Sequence, residues 1–251
     1  MIAGPVSEGM DPALMLGKAI TGGDHVKVLN SGLNSLLDYA RQTEPQFTAA
    51  EMKRLVRAAA AMGCPVMVHA NGRDAVRIAV EAGCASVEHG YFMGKENLKR
   101  MADRETVWVP TIVPMAAYGT ILETVSKAHE TAARTVANQL EQLHHAKIAG
   151  VRVAVGTDAG GIGVHHGVSV YQEISLLLSG GFKVEEAVQS ASTQGAHLVG
   201  VDGKVAFSPG NPAIFLAVDG PPSRLGEKAF WIRRCTESGF QTPIRVKPAL
   251  F

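Results

Sequence analysis

The chain is short of the features that announce several protein classes. Cysteine is scarce: Cys64, Cys84 and Cys235 stand far apart in 251 residues, which argues against a disulfide scaffold or a cysteine-built zinc cluster. No apolar run approaches the roughly 20 residues of a membrane helix. Neither sign of charge dominates, with a formal net charge of +1, so nothing pulls the whole chain towards nucleic acid or an anionic membrane. The opening MIAGPVSEGMDP has no basic n-region and no apolar h-region, so no signal peptide is visible and a cytoplasmic location is the expectation. What is plentiful is apolar residues, at 46%, and glycine, at 27 residues. The first is enough to bury a sizeable core; the second suits a chain with many tight joints between strands and helices.

Short β-branched runs alternate with helix-patterned segments. Strands are expected at 25–30, 65–70, 85–90, 106–113 and 151–158. Helices are expected at 48–63, 73–83, 95–104, 130–150, 167–181 and 183–200. Thr48 followed by Glu51 spells a capping box, and Gly63, Gly83 and Gly150 suit helix stops. Continuous apolar strands joined through helices predict a parallel sheet covered on both faces, with right-handed crossovers. An open doubly wound sheet and an arc of a (β/α)8 barrel both satisfy that pattern. After Gly200, Asp-Gly, Pro-Gly and Asn-Pro turns break the chain into short strands. We therefore expect an α/β domain over 1–200 and a β segment over 201–251.

In either architecture chemistry gathers at the carboxyl ends of parallel strands. Those ends carry His69, Glu88-His89-Gly90 and Gly156-Thr157-Asp158, with Lys27 inside the first strand. Side chains alternate across a strand, so only one of Glu88 and His89 can face a barrel centre. Two imidazoles and a carboxylate converging from neighbouring strand ends make a donor set for a divalent transition metal, zinc most readily. Each residue also has a plainer reading. A strand-end histidine is most often a hydrogen-bonded core or surface group, Lys27 can snorkel at a sheet edge, and Asp158 can cap a turn. His129, His144, His145 and His197 fall on helical segments and carry no assigned role. His165 and His166 follow Asp158 in a glycine-rich loop and can reach the same mouth.

Taken in order, DHVKVLNSG, QFTAAEMKRLVRAA, VMVHANGRDAVRIAVEAGCASVEHGYF, VWVPT, VAVGTDAGG with the following HHG, ASTQGAHLVG and SPGNPAIFLAV resemble the metal-dependent amidohydrolase superfamily, in particular its prolidase-like (Xaa-Pro and Xaa-Arg dipeptidase) branch. The resemblance runs over residues 10–220. It implies part of a TIM (β/α)8 barrel, strands four to eight, with a remnant of a small β-sandwich at the C-terminal end. It implies metal ligation by Lys27 (as a carbamate bridging two metals), His69, His89 and Asp158, with Asp158 also shuttling the proton. His166 and Tyr91 are expected at the substrate. The cofactor implied is zinc or another divalent metal, up to two in a complete enzyme. The reaction implied is hydrolysis of an amide or peptide-type C–N bond in a small-molecule amide or dipeptide.

Two departures from the family pattern stand out. No His-x-His occurs, although the superfamily carries one on its first strand, and Asn71 stands where many relatives have histidine. Five βα units cannot close an eight-stranded barrel. The chain is therefore expected to be a partial one, weakly active alone, forming a homo-oligomer or joined by a complementing N-terminal segment. Two other readings remain at this point: a deaminase or imidazolonepropionase-like cyclic amidohydrolase, against which Lys27 counts, and a non-catalytic α/β module that binds a partner through its sheet edge. Specificity is expected in loops 31–47, 91–95, 113–129 and 159–167.

Overall fold

The computed structural model describes Leu16, residues 23–122 and 126–202, and short stretches at 209, 215–218, 221, 230–236, 239–240 and 244–246. Four strands, β1 (Val26–Leu29), β2 (Val66–Ala70), β3 (Ser86–His89) and β4 (Val107–Val109), lie in that order in one parallel sheet. The register places Lys27 beside Met67, and His69 beside Glu88. Between them run α1 (Ala49–Ala61), α2 (Arg73–Ala82) and α3 (Lys95–Asp103). The expected capping box is present: the Glu51 amide donates to Thr48 Oγ1 and the Thr48 amide to Glu51 Oε2, satisfying two end donors of α1.

Period-two alternation divides each strand between two environments. Val26, Val28, Val66, Val68, Ala70, Val87 and Trp108 belong to the large apolar core beneath the helices. Lys27, Met67, His69, Ser86 and Glu88 occupy the alternate positions and form the other, more polar face. There Val107 and Val109 join Ala154 and Leu198 in a small separate cluster.

Three expectations need correction. The run 151–158 pairs with β4 only through a bridge from Trp108 to Val153, not as a full strand. Pro110, which has no N–H to give, follows β4 at once and leaves only three residues to pair with. The helix expected over 183–200 is two, α7 (Val184–Ala191) and α8 (Thr193–Leu198), broken where Ser192 leaves helical dihedrals at φ −126° and ψ −88°. Part of the expected loop 113–129 is helical: α4 covers Val113–Ile121, with Pro114 in its first turn, and α5 covers Ser126–Ala149. Between α5 and α7, helix α6 spans Val168–Ser179.

In the C-terminal segment β5 (Phe215–Val218), β6 (Phe230–Thr236), β7 (Gly239–Phe240) and β8 (Ile244–Val246) pair antiparallel, with β6 central. The Asp-Gly, Pro-Gly and Asn-Pro turns expected between them lie largely outside the described residues. A cavity of about 830 Å³ opens at the amino ends of the parallel strands, lined among others by Cys64, Met67, Val107, Arg152 and Leu198. No helix among the described residues is long and apolar enough to cross a membrane.

Candidate metal centre

The carboxyl ends of β2 and β3 bring two imidazoles together. The rings of His69 and His89 meet edge to face with centroids 4.5 Å apart. His69 is the penultimate residue of a fully buried strand, and its Nε2 lies 3.2 Å from the Gly32 carbonyl oxygen. A bond to that carbonyl needs Nε2–H, while the Asn71 side-chain amide nitrogen stands 3.4 Å from the same ring nitrogen. His89 has φ +69°, a conformation rare outside glycine. The turn is held because Trp108 Nε1 and Gln139 Nε2 both donate to the His89 carbonyl, at 3.0 and 2.8 Å. The next residue must be glycine: Gly90 has φ +63°, and a Cβ there would stand 2.8 Å from Trp108 Nε1.

Burial lowers the pKa of both imidazoles, and the Lys27 ammonium adds to the effect. His69 further depresses His89, which falls well below its ordinary value, whereas the Gly32 bond and Asp158 work against the shift at His69. Both rings are therefore neutral at pH 7, the form in which imidazole binds metals. The charge of Lys27 thus acts on both rings, and that of Asp158 on His69.

Lys27 is paired there. Its Nζ lies 3.5 Å from Glu88 Oε2, and Ser86 Oγ donates to the other carboxylate oxygen. Glu88 thus points to the face that carries Lys27 and His69, while His89 reaches the same mouth through its left-handed turn. Asp158, also with positive φ (+51°), is exposed. His166 is exposed too, just ahead of α6, on the loop that also carries Gly160. Tyr91 is buried, its hydroxyl donating to the Thr111 carbonyl at 3.0 Å and its ring stacked 6.2 Å from that of His89. Asn71 ties two loops together, since its Oδ1 accepts from the Tyr91 amide and its own amide donates to Ser31 Oγ.

Two neutral imidazoles and a carboxylate are donors of the kind a divalent cation takes. Among the described residues no three His, Cys, Asp or Glu side chains stand together in metal-holding range.

Sequence reasoning missed two residues here. Thr111 Oγ1 lies 2.6 Å from His89 Nδ1. Glu173, fully buried on α6, accepts from the Ile112 and Val113 amides at 2.9 Å each. A lone acid within the apolar run VSVYQEISLLLS was the available signal for Glu173. Nothing local marked Thr111.

Residues 18–245 match the profile of the amidohydrolase family. The chain belongs to that family. Solved structures agree with the assignment. A Xaa-Pro dipeptidase with bound methionine in its active site superposes with a TM-score of 0.72 at 27% identity, covering 88% of this chain and 55% of the other. The Aspergillus niger ochratoxinase structure superposes at 0.65 and 22% identity, covering 84% and 49%, and shares the fold. In sequence, ochratoxinase from the same fungus is 29% identical over 119 residues, 45% of this chain and 24% of that protein. An uncharacterised protein of Mycobacterium tuberculosis is 26% identical over 187 residues, 73% of this chain and 49% of that protein. The chain thus spans about half the length of the curated relatives it matches, or less.

Proposed function

We propose that this amidohydrolase-family chain carries the metal-binding and proton-transfer half of a prolidase-like active site that hydrolyses the amide bond of a small amide or dipeptide. The observation that supports the reading most directly is the pair of neutral imidazoles, His69 and His89, in ring contact at adjacent strand ends, with the Lys27 charge acting on both. His69, His89, Asp158 and Lys27 as its carbamate would hold the cation. When bound, a divalent cation supplies Lewis acidity, easing the loss of a proton from water and polarising a carbonyl oxygen.

The chain's own residues do the rest. Asp158, exposed at the mouth, takes the proton from the attacking water and passes it to the leaving nitrogen, so that the C–N bond breaks as the amine forms. His166, on the loop that follows, contacts the substrate. Tyr91 keeps the wall behind His89 in place.

Equilibrium zinc competition against a chromophoric chelator tests this reading. The wild-type chain should take up about one equivalent of zinc, and His69→Ala with His89→Ala should abolish uptake. Undiminished zinc binding in the double variant, or none in the wild type, would refute it. Turnover on a panel of N-acyl amino acids and dipeptides should be weak and should vanish in Asp158→Asn.

A further inference from the structure

Thr111 has no role in the scheme above, yet it is held from three sides. Its carbonyl accepts from the Tyr91 hydroxyl at 3.0 Å. The two amides that follow it, Ile112 and Val113 at the start of α4, are both capped by the buried carboxylate of Glu173. Its hydroxyl meets His89 Nδ1 at 2.6 Å. Its backbone sits at φ +46°, a conformation a β-branched residue adopts only when its surroundings impose it. Strain of this kind persists where the local structure over-determines it, and here the over-determining contacts all serve to put one hydroxyl against one ring nitrogen.

We propose that Thr111, clamped by Glu173, is a positioning residue that fixes the tautomer and orientation of His89. This role rests on the metal-centre reading. An imidazole that binds a cation through Nε2 must carry its proton on Nδ1, and a hydrogen-bond acceptor at Nδ1 selects that tautomer. Thr111 Oγ1, a group able to accept or donate, stands 2.6 Å from that nitrogen and takes the acceptor role in this assignment. On His69 it is the other nitrogen, Nε2, that meets a neighbour's oxygen, the Gly32 carbonyl at 3.2 Å. Glu173 acts one step further back. With its two acceptor oxygens it holds the first turn of α4, and with it the carbonyl and hydroxyl of Thr111.

The test begins without metal. The 15N shifts of His89 in the metal-free wild-type chain should report an Nδ1–H, Nε2 lone-pair imidazole. Thr111→Val keeps the β-branched shape and removes the hydroxyl. It should move His89 towards the Nε2–H tautomer and lower zinc affinity about 10- to 100-fold, while Thr111→Ser restores both. Glu173→Gln, which keeps one acceptor oxygen of two, should give a smaller loss in the same direction. An Nε2–H signal in the wild type overturns the proposal whether or not any variant folds. So does a folded Thr111→Val with unchanged tautomer and unchanged zinc affinity. If the tautomer switches as expected while the wild type binds no zinc, the positioning role stands and the metal-centre reading falls.

Discussion

Val68 and His69 are neighbours on β2, and they belong to different environments. Val68 faces helices and is fully buried in the main apolar core. His69 faces the side that carries Lys27, Met67, Ser86 and Glu88. The same alternation runs through the whole parallel sheet. One face is valine and alanine against helices, where stability comes from apolar area removed from water. The other holds an ion pair, a serine–carboxylate bond and a histidine, each of which needs a polar partner to be tolerated. The fold is therefore secured from one side of the sheet, which leaves the other free to carry chemistry.

The sharpest way to break this comparison is to place one side chain on each face. Val68→Gln buries an amide in packed hydrocarbon with nothing to bond. It should cost on the order of 4 kcal/mol, enough to unfold much of the domain. Met67→Gln, one residue earlier, borders the cavity and sits in register with Lys27 and Ser86, and should cost about 1 kcal/mol or less. Urea unfolding of both decides it; equal losses would mean that the two faces do not differ as described.

A second prediction concerns Glu173, an acid taken into the core. Burial pushes its pKa up from 4.5 to about 7, while the bonds from Ile112 and Val113 hold it down. The folded state therefore binds this proton more tightly than the unfolded state. Its contribution to stability is largest below pH 4.5, declines as pH rises from 4.5 to 7, and is flat above that, a change of about 3 kcal/mol. Glu173→Gln should remove that slope from a plot of unfolding free energy against pH, and persistence of the full slope would assign it to another group. The smallest expected effect is at the Lys27–Glu88 pair, which is partly exposed. Glu88→Gln should change stability by less than about 1 kcal/mol in chemical denaturation; a larger loss would make this face a structural one.

Much of the scaffold was legible because its signals are local. Thr48 and Glu51 spelled a capping box, and the helix formed where they predicted. The four strands of the parallel sheet fell within a residue or two of expectation, except that the run 106–113 pairs only at Val107–Val109. The errors came where pairing or packing decided the outcome: the reduction of 151–158 to a bridge beside Pro110, the break at Ser192, and the helix from Val113 to Ile121. The site divided in the same way. That His69 and His89 lie at adjacent strand ends was legible because strand ends can be counted along the chain. Glu88 as the partner of Lys27, Tyr91 as a buried support and Thr111 as the partner of His89 were not, because each depends on which residue stands opposite in a neighbouring strand or loop.

The sequence by itself determined where the helix capped by Thr48 starts and which residues alternate between the two faces of the sheet, since both follow from spacing and local hydrogen bonding along one stretch of chain. Only the tertiary structure decided that His69 and His89 meet ring to ring, that burial keeps both neutral, and that a carboxylate 84 positions beyond His89, Glu173, holds the turn beside them. Those outcomes depend on distance and on the local dielectric, which exist only once strands 20 residues apart in the chain lie side by side.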